Sequence, residues 1–290
     1  MAQASEAQDY GRVAVVTGGG GGMGFACARR LAQRMPVIAA DESEAALEQS
    51  LAKLSAAGLD VTGVVCDITD AAAVGRLTAA VSARGELGAL VHTAGISPSM
   101  VSSPRRVLEV DLIGTAIILD SFLPHTTVGS AAVCIASISG YRRVPAAVDP
   151  LLLDSRSDDF FERIEQITPL GDKTRLAYAL AKRGVKLLCE YHARAWGQRG
   201  ARLCSISPGG TLTRMVQFEK GRGGRGLVEQ TALGRRGSPH EIASVANFLC
   251  SPEASYITGC DVPVEGGVMA GYLHHATPEV RETWREALAD

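Results

Sequence analysis

Short apolar, β-branched runs alternate with longer segments of helical periodicity along almost the whole chain. Arg12–Thr17, Pro36–Ala40, Val61–Cys66, Ala89–His92, Ala131–Ala136, Ala201–Ser207 and Asp261–Val264 are predicted as strands. Between them, Met23–Arg34, Glu44–Ala57, Ala71–Ala83, Pro104–Phe122, Leu176–Trp196 and Pro239–Leu249 are predicted as helices. The strands are apolar throughout rather than alternating, which is expected where helices cover both faces of a sheet. The pattern therefore predicts an α/β fold: a doubly wound parallel sheet of about seven strands with helices on both faces. No internal repeat and no Pro-rich linker divides it, so residues 1–290 are expected to form a single domain.

Two stretches break the rhythm. Tyr141–Arg175 is neither a short turn nor a crossover helix, and within it Ser157–Ile167 reads as a short amphipathic helix with Phe160, Phe161 and Ile164 on one side. Arg214–Arg236 is rich in Gly and Arg and is expected to be a lid loop. Both follow the C-terminal ends of strands, the side on which open α/β sheets bind ligands.

Composition narrows the function classes. With 46% hydrophobic residues among 290, the chain can bury a sizeable core and is too apolar to be disordered. A formal net charge of -2 and the absence of a basic stripe argue against nucleic acid or an anionic membrane surface as partner. Lys220, Arg222 and Arg225 read as a solvated Gly-rich loop. Met1–Tyr10 lacks the apolar core of a secretory signal, and no run reaches the roughly 20 apolar residues of a membrane span. Seven scattered cysteines without a CxxC pair are expected to be buried, reduced thiols of a cytoplasmic protein, with no metal site.

The first strand runs into Thr17-Gly18-Gly19-Gly20-Gly21-Gly22-Met23-Gly24 and then a helix. Glycine lets the backbone approach a pyrophosphate closely, and a helix N-terminus offers free N–H groups and a favourable dipole. Gly18, Gly22, Met23 and Gly24 are thus candidates for holding a dinucleotide in a Rossmann-type sheet. Asp41 closes the second strand, where a carboxylate can accept from the adenosine ribose hydroxyls and repel a 2′-phosphate; capping the next helix is the structural alternative. With no Lys or Arg in the glycine loop, NAD is expected over NADP. Asp67, followed by Ile68, ends the third strand and is placed at the adenine, with helix capping an equally good explanation. His92-Thr93-Ala94-Gly95 ends the fourth strand; Ala94 and Gly95 offer small side chains where a cofactor would lie, and His92 is read as structural.

Tyr178 and Lys182 open a long helix, four residues apart and therefore on one face. A phenol near pKa ~10 is a poor base at neutral pH; a neighbouring ammonium and a positive nicotinamide favour phenolate, and a shift of about three units corresponds to roughly 4 kcal/mol. Ser137, at the end of the fifth strand, can donate to a carbonyl oxygen and hold a substrate against the tyrosine, with Ser139 the neighbouring candidate.

Together these residues resemble the short-chain dehydrogenase/reductase family over nearly the whole chain. The matching positions are the TGxxxGxG pattern at Thr17–Gly24, Asp67, Ala94-Gly95, Ser137, Tyr178 and Lys182. Ser207-Pro208-Gly209-Gly210-Thr211-Leu212-Thr213 is similar to the family's PGxxxT segment, so Pro208, Gly209, Thr211 and Thr213 are implied at the nicotinamide end. Leu233–Pro239 and Tyr256–Gly267 are similar to its C-terminal signatures. The resemblance implies Tyr178 as proton donor or acceptor, Lys182 binding ribose and lowering the tyrosine pKa, and Ser137 orienting substrate. Two positions depart: His92 and Asp111 stand where the family has asparagine. The second asparagine serves the proton relay, so Asp111 is implied there with an altered charge balance and a shifted pH optimum.

The long Tyr141–Arg175 segment and Ala195–Gly200 resemble the 3α-hydroxysteroid dehydrogenase/carbonyl reductase branch, which implies an alicyclic or steroid-like secondary alcohol or ketone as substrate. The family also implies a homodimer or homotetramer; the insert precedes the helix that packs between subunits and puts the tetramer in doubt. The alternative is a catalytically impaired NAD-binding sensor or scaffold, suggested by the two missing asparagines. Transient use of NAD in epimerisation or dehydration is a third reading, disfavoured by the roughly 20 residues that follow Gly267. Thr277–Ala289 is expected to be a closing amphipathic helix.

Overall fold

The seven apolar runs pair as parallel strands: β1 (Arg12–Thr17), β2 (Val37–Asp41), β3 (Val61–Val65), β4 (Glu86–His92), β5 (Thr126–Ile135), β6 (Arg202–Pro208) and β7 (Asp261–Val264). A computed structural model describes residues 11–212 and 228–286. The strand order is β3-β2-β1-β4-β5-β6-β7, so the connection reverses direction between β1 and β4. A crevice opens at such a switch point, beyond the C-terminal strand ends.

Successive residues of each strand face opposite layers. Val13 and Val15 join a core with helices α3 (Ala71–Arg84), α5 (Gly114–Phe122) and α8 (Thr174–Gly197). Ala14 and Val16 join a second core with α1 (Gly22–Leu31) and α9 (Pro239–Leu249). Both faces of the central strands are therefore dry, which explains why their sequences are continuously apolar, while the outer strands β3 and β7 stay partly exposed. Helix α2 (Glu44–Ala56) begins at Ser43, whose hydroxyl accepts from the Ala46 amide. Asp70 caps α3 by accepting from the Ala72 amide. Neither Asp41 nor Asp67 caps a helix, which removes the structural alternative considered for each. Among the described residues no helix is long and apolar enough to cross a membrane.

Three departures from the sequence pattern have physical causes. Strand β5 starts at Thr126, earlier than hydropathy indicates, because polar side chains extend it: Ser130 Oγ donates to the Leu87 carbonyl at 2.7 Å and accepts from the Thr127 amide at 2.9 Å. The expected helix over residues 104–122 is not continuous. It divides into α4 (Pro104–Leu108), a π-turn (Glu109–Ile113) and α5, with the Gly114 amide donating to the Glu109 carbonyl across the wider turn. The insert after Tyr141 holds two helices, α6 (Val148–Leu153) and α7 (Phe160–Ile167), where one was expected. On α7, Phe160 and Ile164 are buried as the pattern implied, and Phe161 lies edge-on to Phe160 beneath the Arg105 guanidinium. Helix α6 is tied to α8 by the Arg183–Asp149 ion pair, with Arg183 Nη2 2.6 Å from Asp149 Oδ2.

The C-terminal part runs through α10 (Val268–Ala270), a π-turn (Gly271–His275) and α11 (Pro278–Glu286). Thr213 and residues 214–227 of the expected lid lie outside the described residues, as do 287–289 of the expected closing helix.

One close approach fixes the site's frame. A Cβ at Gly140, just beyond β5, would lie 2.8 Å from main-chain atoms of Lys182 and Arg183 on α8. Gly140→Ala is therefore expected to force the turn off the helix and to lower unfolding free energy by about 2–3 kcal/mol in a denaturant titration. An unchanged midpoint would show that this contact yields freely.

Candidate active site

The glycine segment turns back on itself at the end of β1. Gly18 has φ +71°, and a Cβ there would be 2.7 Å from Thr93 Oγ1; a Cβ at Gly24 would be 2.0 Å from the Gly18 carbonyl oxygen. Only glycine fits these two places. Helix α1 begins with no side-chain cap, leaving first-turn amides to face the crevice. The Gly20 amide donates to Asp41 Oδ2 at 2.9 Å, and the Ser43 amide donates to Oδ1 at 3.0 Å. Asp41 thus ties the glycine loop to the end of β2.

A cavity of about 450 Å³ lies over these strand ends. Of the residues expected at a cofactor, Gly18, Gly22, Met23, Gly24, Asp41, Asp67, Ile68, Ala94 and Gly95 line it together. Its described lining also holds residues the sequence did not single out, among them Glu42, Ile96 and Met100, and no Lys or Arg. Asp67 Oδ1 accepts from both the amide and the hydroxyl of Thr69, at 2.8 and 2.7 Å. Burial opposes its ionisation, but these two bonds together with the Arg106 charge outweigh burial and hold the carboxyl below its usual range. Pro208, Gly209 and Thr211 sit apart from this group: Gly209 and Thr211 line a separate cavity of about 100 Å³ with Glu265 and Glu241.

At the end of β5, Ser137 Oγ accepts from the Ser139 amide at 3.2 Å and opens a tight turn toward α8. Tyr178 and Lys182 lie one turn apart on α8, with Lys182 Nζ 5.5 Å from the Tyr178 ring centroid. Lys182 is 6% exposed; its Nζ donates to the Ile135 carbonyl at 3.2 Å and lies 3.4 Å from Asp111 Oδ2. Asp111, in the π-turn, is completely buried, and its Oδ1 accepts from the Ile96 amide at 2.7 Å. A Cβ at Gly95 would be 2.9 Å from Asp111 Oδ1 and 3.3 Å from Lys182 Nζ, so the glycine makes room for this pair. Burial pushes the Asp111 carboxyl up, against the pull of the ammonium. Burial alone would lower Lys182; the carboxylate beside it outweighs that and raises it. The lysine therefore stays an ammonium at neutral pH, with part of its charge answered by Asp111.

His92 is 2% exposed. Its Nδ1 lies 2.7 Å from Thr17 Oγ1 and its Nε2 3.0 Å from Thr115 Oγ1. Burial, reinforced by the Lys182 charge, lowers its pKa from 6.5 to about 3. The reading of His92 as structural agrees with this enclosure. Sequence reasoning missed Thr115 and Ile96; the signal available was a threonine four residues after Asp111, within the apolar run Leu112–Leu119.

Fold and crevice together define an α/β protein with a glycine-lined crevice at the C-terminal strand ends and a buried lysine one turn from a tyrosine on α8. The chain matches the short chain dehydrogenase family over residues 12–148 and the enoyl-(acyl carrier protein) reductase family over residues 168–269. It is 32% identical over 268 residues to a short-chain dehydrogenase/reductase of Alternaria brassicicola, covering 89% of this chain and 96% of that one. It is 32% identical over 234 residues to a 3-alpha-hydroxysteroid dehydrogenase/carbonyl reductase of Comamonas testosteroni, covering 75% of this chain and 90% of that one. A solved short-chain type dehydrogenase/reductase from Mycobacterium ulcerans superposes with a TM-score of 0.72 at 27% identity, covering 91% of this chain and 90% of that one. The chain belongs to the short-chain dehydrogenase/reductase family of oxidoreductases, which use nicotinamide cofactors on small-molecule substrates.

The enclosure of His92 sets a pH dependence. Its folded pKa lies below the ordinary value, so as pH falls the unfolded chain takes up a proton that the folded protein refuses. Stability present above pH 6.5 is lost as pH drops toward 3. At about pH 5 the expected loss from this group is about 2 kcal/mol. His92→Asn should lose less stability between about pH 7 and pH 5 in denaturant titrations than the unaltered protein. Equal losses would show that His92 does not carry this acid sensitivity.

Proposed function

We propose that this protein is an NAD-dependent oxidoreductase that interconverts a secondary alcohol and a ketone, with Tyr178 as the acid/base. The observation that carries the reading is the buried Lys182 ammonium held beside the Tyr178 ring and against the Ile135 carbonyl at the end of β5. The glycine cradle and the cavity above it fit a dinucleotide. The uncapped start of α1 would hold the pyrophosphate, Asp41 the adenosine ribose and Asp67 with Ile68 the adenine. Ala94 and Gly95 would line the path toward Tyr178, and Pro208, Gly209, Thr211 and Thr213 would close the nicotinamide end. The acidic rim at Asp41 and Glu42, with no Lys or Arg among the described lining residues, disfavours a 2′-phosphate, hence NAD over NADP. When bound, the cofactor supplies hydride exchange with the substrate carbon.

The chain's own residues supply the proton. Ser137 donates to the substrate oxygen and holds it toward the phenol. Tyr178 takes the hydroxyl proton in oxidation or returns it in reduction, and the Lys182 charge stabilises the phenolate. Asp111 tempers that charge and keeps Lys182 in place. The relationship to the 3-alpha-hydroxysteroid dehydrogenase/carbonyl reductase supports a bulky alicyclic or steroid-like substrate. A small-molecule oxidoreductase that is cytoplasmic and assembles as a homodimer or homotetramer is the accompanying expectation. The Asp111–Lys182 contact also favours a second reading, an NAD-binding sensor or scaffold, since a carboxylate there offsets the charge on which the tyrosine depends.

Purified protein with NAD and a panel of secondary, terpenoid and steroid alcohols is expected to generate NADH, and Tyr178→Phe to abolish it. Tight NAD binding without turnover on any alcohol would favour the sensor reading, and equal rates with NADP would remove Asp41 as the selector. Asp111→Asn deletes a negative charge beside Lys182. The acid limb of the oxidation rate should then move to lower pH by about one unit. An unmoved limb would take Asp111 out of the relay.

A further inference from the structure

Three elements converge behind Asp111, and His92 joins them. Its Nδ1 meets Thr17 Oγ1 at the end of β1, and its Nε2 meets Thr115 Oγ1 on α5. Thr115 Oγ1 lies 2.8 Å from the main-chain carbonyl oxygen of Asp111. These contacts fix the direction of each proton. A carbonyl oxygen only accepts, so the single Thr115 hydroxyl proton goes to Asp111. Thr115 Oγ1 must then accept from His92, which puts the ring proton on Nε2. In a neutral ring Nδ1 is bare and accepts from the Thr17 hydroxyl. The Ala94 amide, 3.4 Å from Thr17 Oγ1, donates into the start of the same chain. The hydrogen bonds thus run one way, from the glycine-loop strand through His92 to the residue that faces Lys182.

Asp111 has reason to need such support. It sits in a π-turn, where the Gly114 amide reaches back to Glu109 and the regular helical ladder is interrupted. Its Oδ2 makes no hydrogen bond of its own and faces the Lys182 ammonium 3.4 Å away. A small rotation of the π-turn would lengthen that contact; the Ile96 amide on the Asp111 carboxylate and the Thr115 hydroxyl on its main-chain carbonyl resist it.

We propose that His92 is a positioning residue: acting through Thr115 on the Asp111 main chain, it sets the distance between the Asp111 carboxylate and the Lys182 ammonium. Its consequence for turnover rests on the reading of Lys182 as partner to Tyr178. An asparagine at this position would offer an oxygen where Nδ1 is, but its side chain stops short of Thr115. The titratable groups that face Lys182 are Asp111 from the π-turn, Tyr178 from α8 itself, Cys134 from β5 and His92 from β4. Of these, Asp111 is the one whose main chain is joined to the His92 ring through Thr115.

The test compares Thr115→Val, which removes the hydroxyl and keeps the β-branched shape, with Thr115→Ser, which keeps the hydroxyl. Lys182 is one of five lysines, so NMR can follow solvent exchange of its ammonium protons at neutral pH without any substrate. Thr115→Val is expected to speed that exchange by about tenfold, while Thr115→Ser stays within about twofold of the unaltered protein. Nitrogen NMR of the unaltered protein should show His92 as the neutral Nε2–H form throughout about pH 5 to 9. In turnover, Thr115→Val should lower kcat by roughly tenfold and move its pH profile, with KM within about twofold. A folded Thr115→Val protein whose Lys182 exchanges as before overturns the proposal, as does a His92 ring protonated on Nδ1, which needs no variant to detect. If the exchange changes as expected but the unaltered protein oxidises no alcohol, the positioning role stands and the dehydrogenase reading falls.

Discussion

A buried charge must be answered, and the Lys182 ammonium is the buried charge that β5, α8 and the π-turn gather to answer. Nearly closed to water, it has the Ile135 carbonyl, the Tyr178 ring and the Asp111 carboxylate as neighbours. Leaving such an ammonium without partners would cost several kcal/mol. Its partners come from β5, from α8 and from the π-turn between α4 and α5, so the pair welds the sheet edge to the helical layer on one side. Gly95 and Gly140 follow from the same demand, because a methyl group at either would collide with the pair or with the backbone that carries Lys182.

A carboxylate where the family pattern implies asparagine changes the balance without emptying the site. An asparagine leaves the lysine charge intact; Asp111 answers part of it. The structure absorbs the exchange through two linked features, a carboxyl anchored by the Ile96 amide and a neutral His92 bridging two threonines. The two departures from the family pattern are thus close in space and joined by hydrogen bonds, though 19 positions separate them in the chain.

The opposite end of the crevice is governed by close approach rather than charge. Gly18 and Gly24 let the first turn fold onto Thr93, and Gly20 lets an amide reach Asp41. The sheet order, with its reversal between β1 and β4, brings the ends of four strands to one cavity. The insert between Tyr141 and Arg175 stays outside that cavity's described lining and is fastened to α8 through Asp149 and Arg183.

Much was legible in the sequence because much of it depends on short-range pattern. Continuous apolar runs marked the central strands of the sheet, since both of their faces are covered; β1, β7 and α9 begin and end where the sequence pattern places them. The glycine segment, Asp41, Asp67 and the Tyr178–Lys182 spacing are likewise local signals, and the structure gathers the first of these around one cavity. Other features were not legible. The start of β5 depends on Ser130 reaching Leu87 on a neighbouring strand, and α6 is a six-residue helix secured by a distant arginine. The π-turn has no proline or paired glycine to announce it. Its wider turn is settled by what surrounds Asp111: Ile96, Lys182 and a threonine held by His92. Local periodicity determined which segments become strands and helices, and tertiary packing decided which polar side chains are buried together, because a buried group's partners are chosen in space and not along the chain.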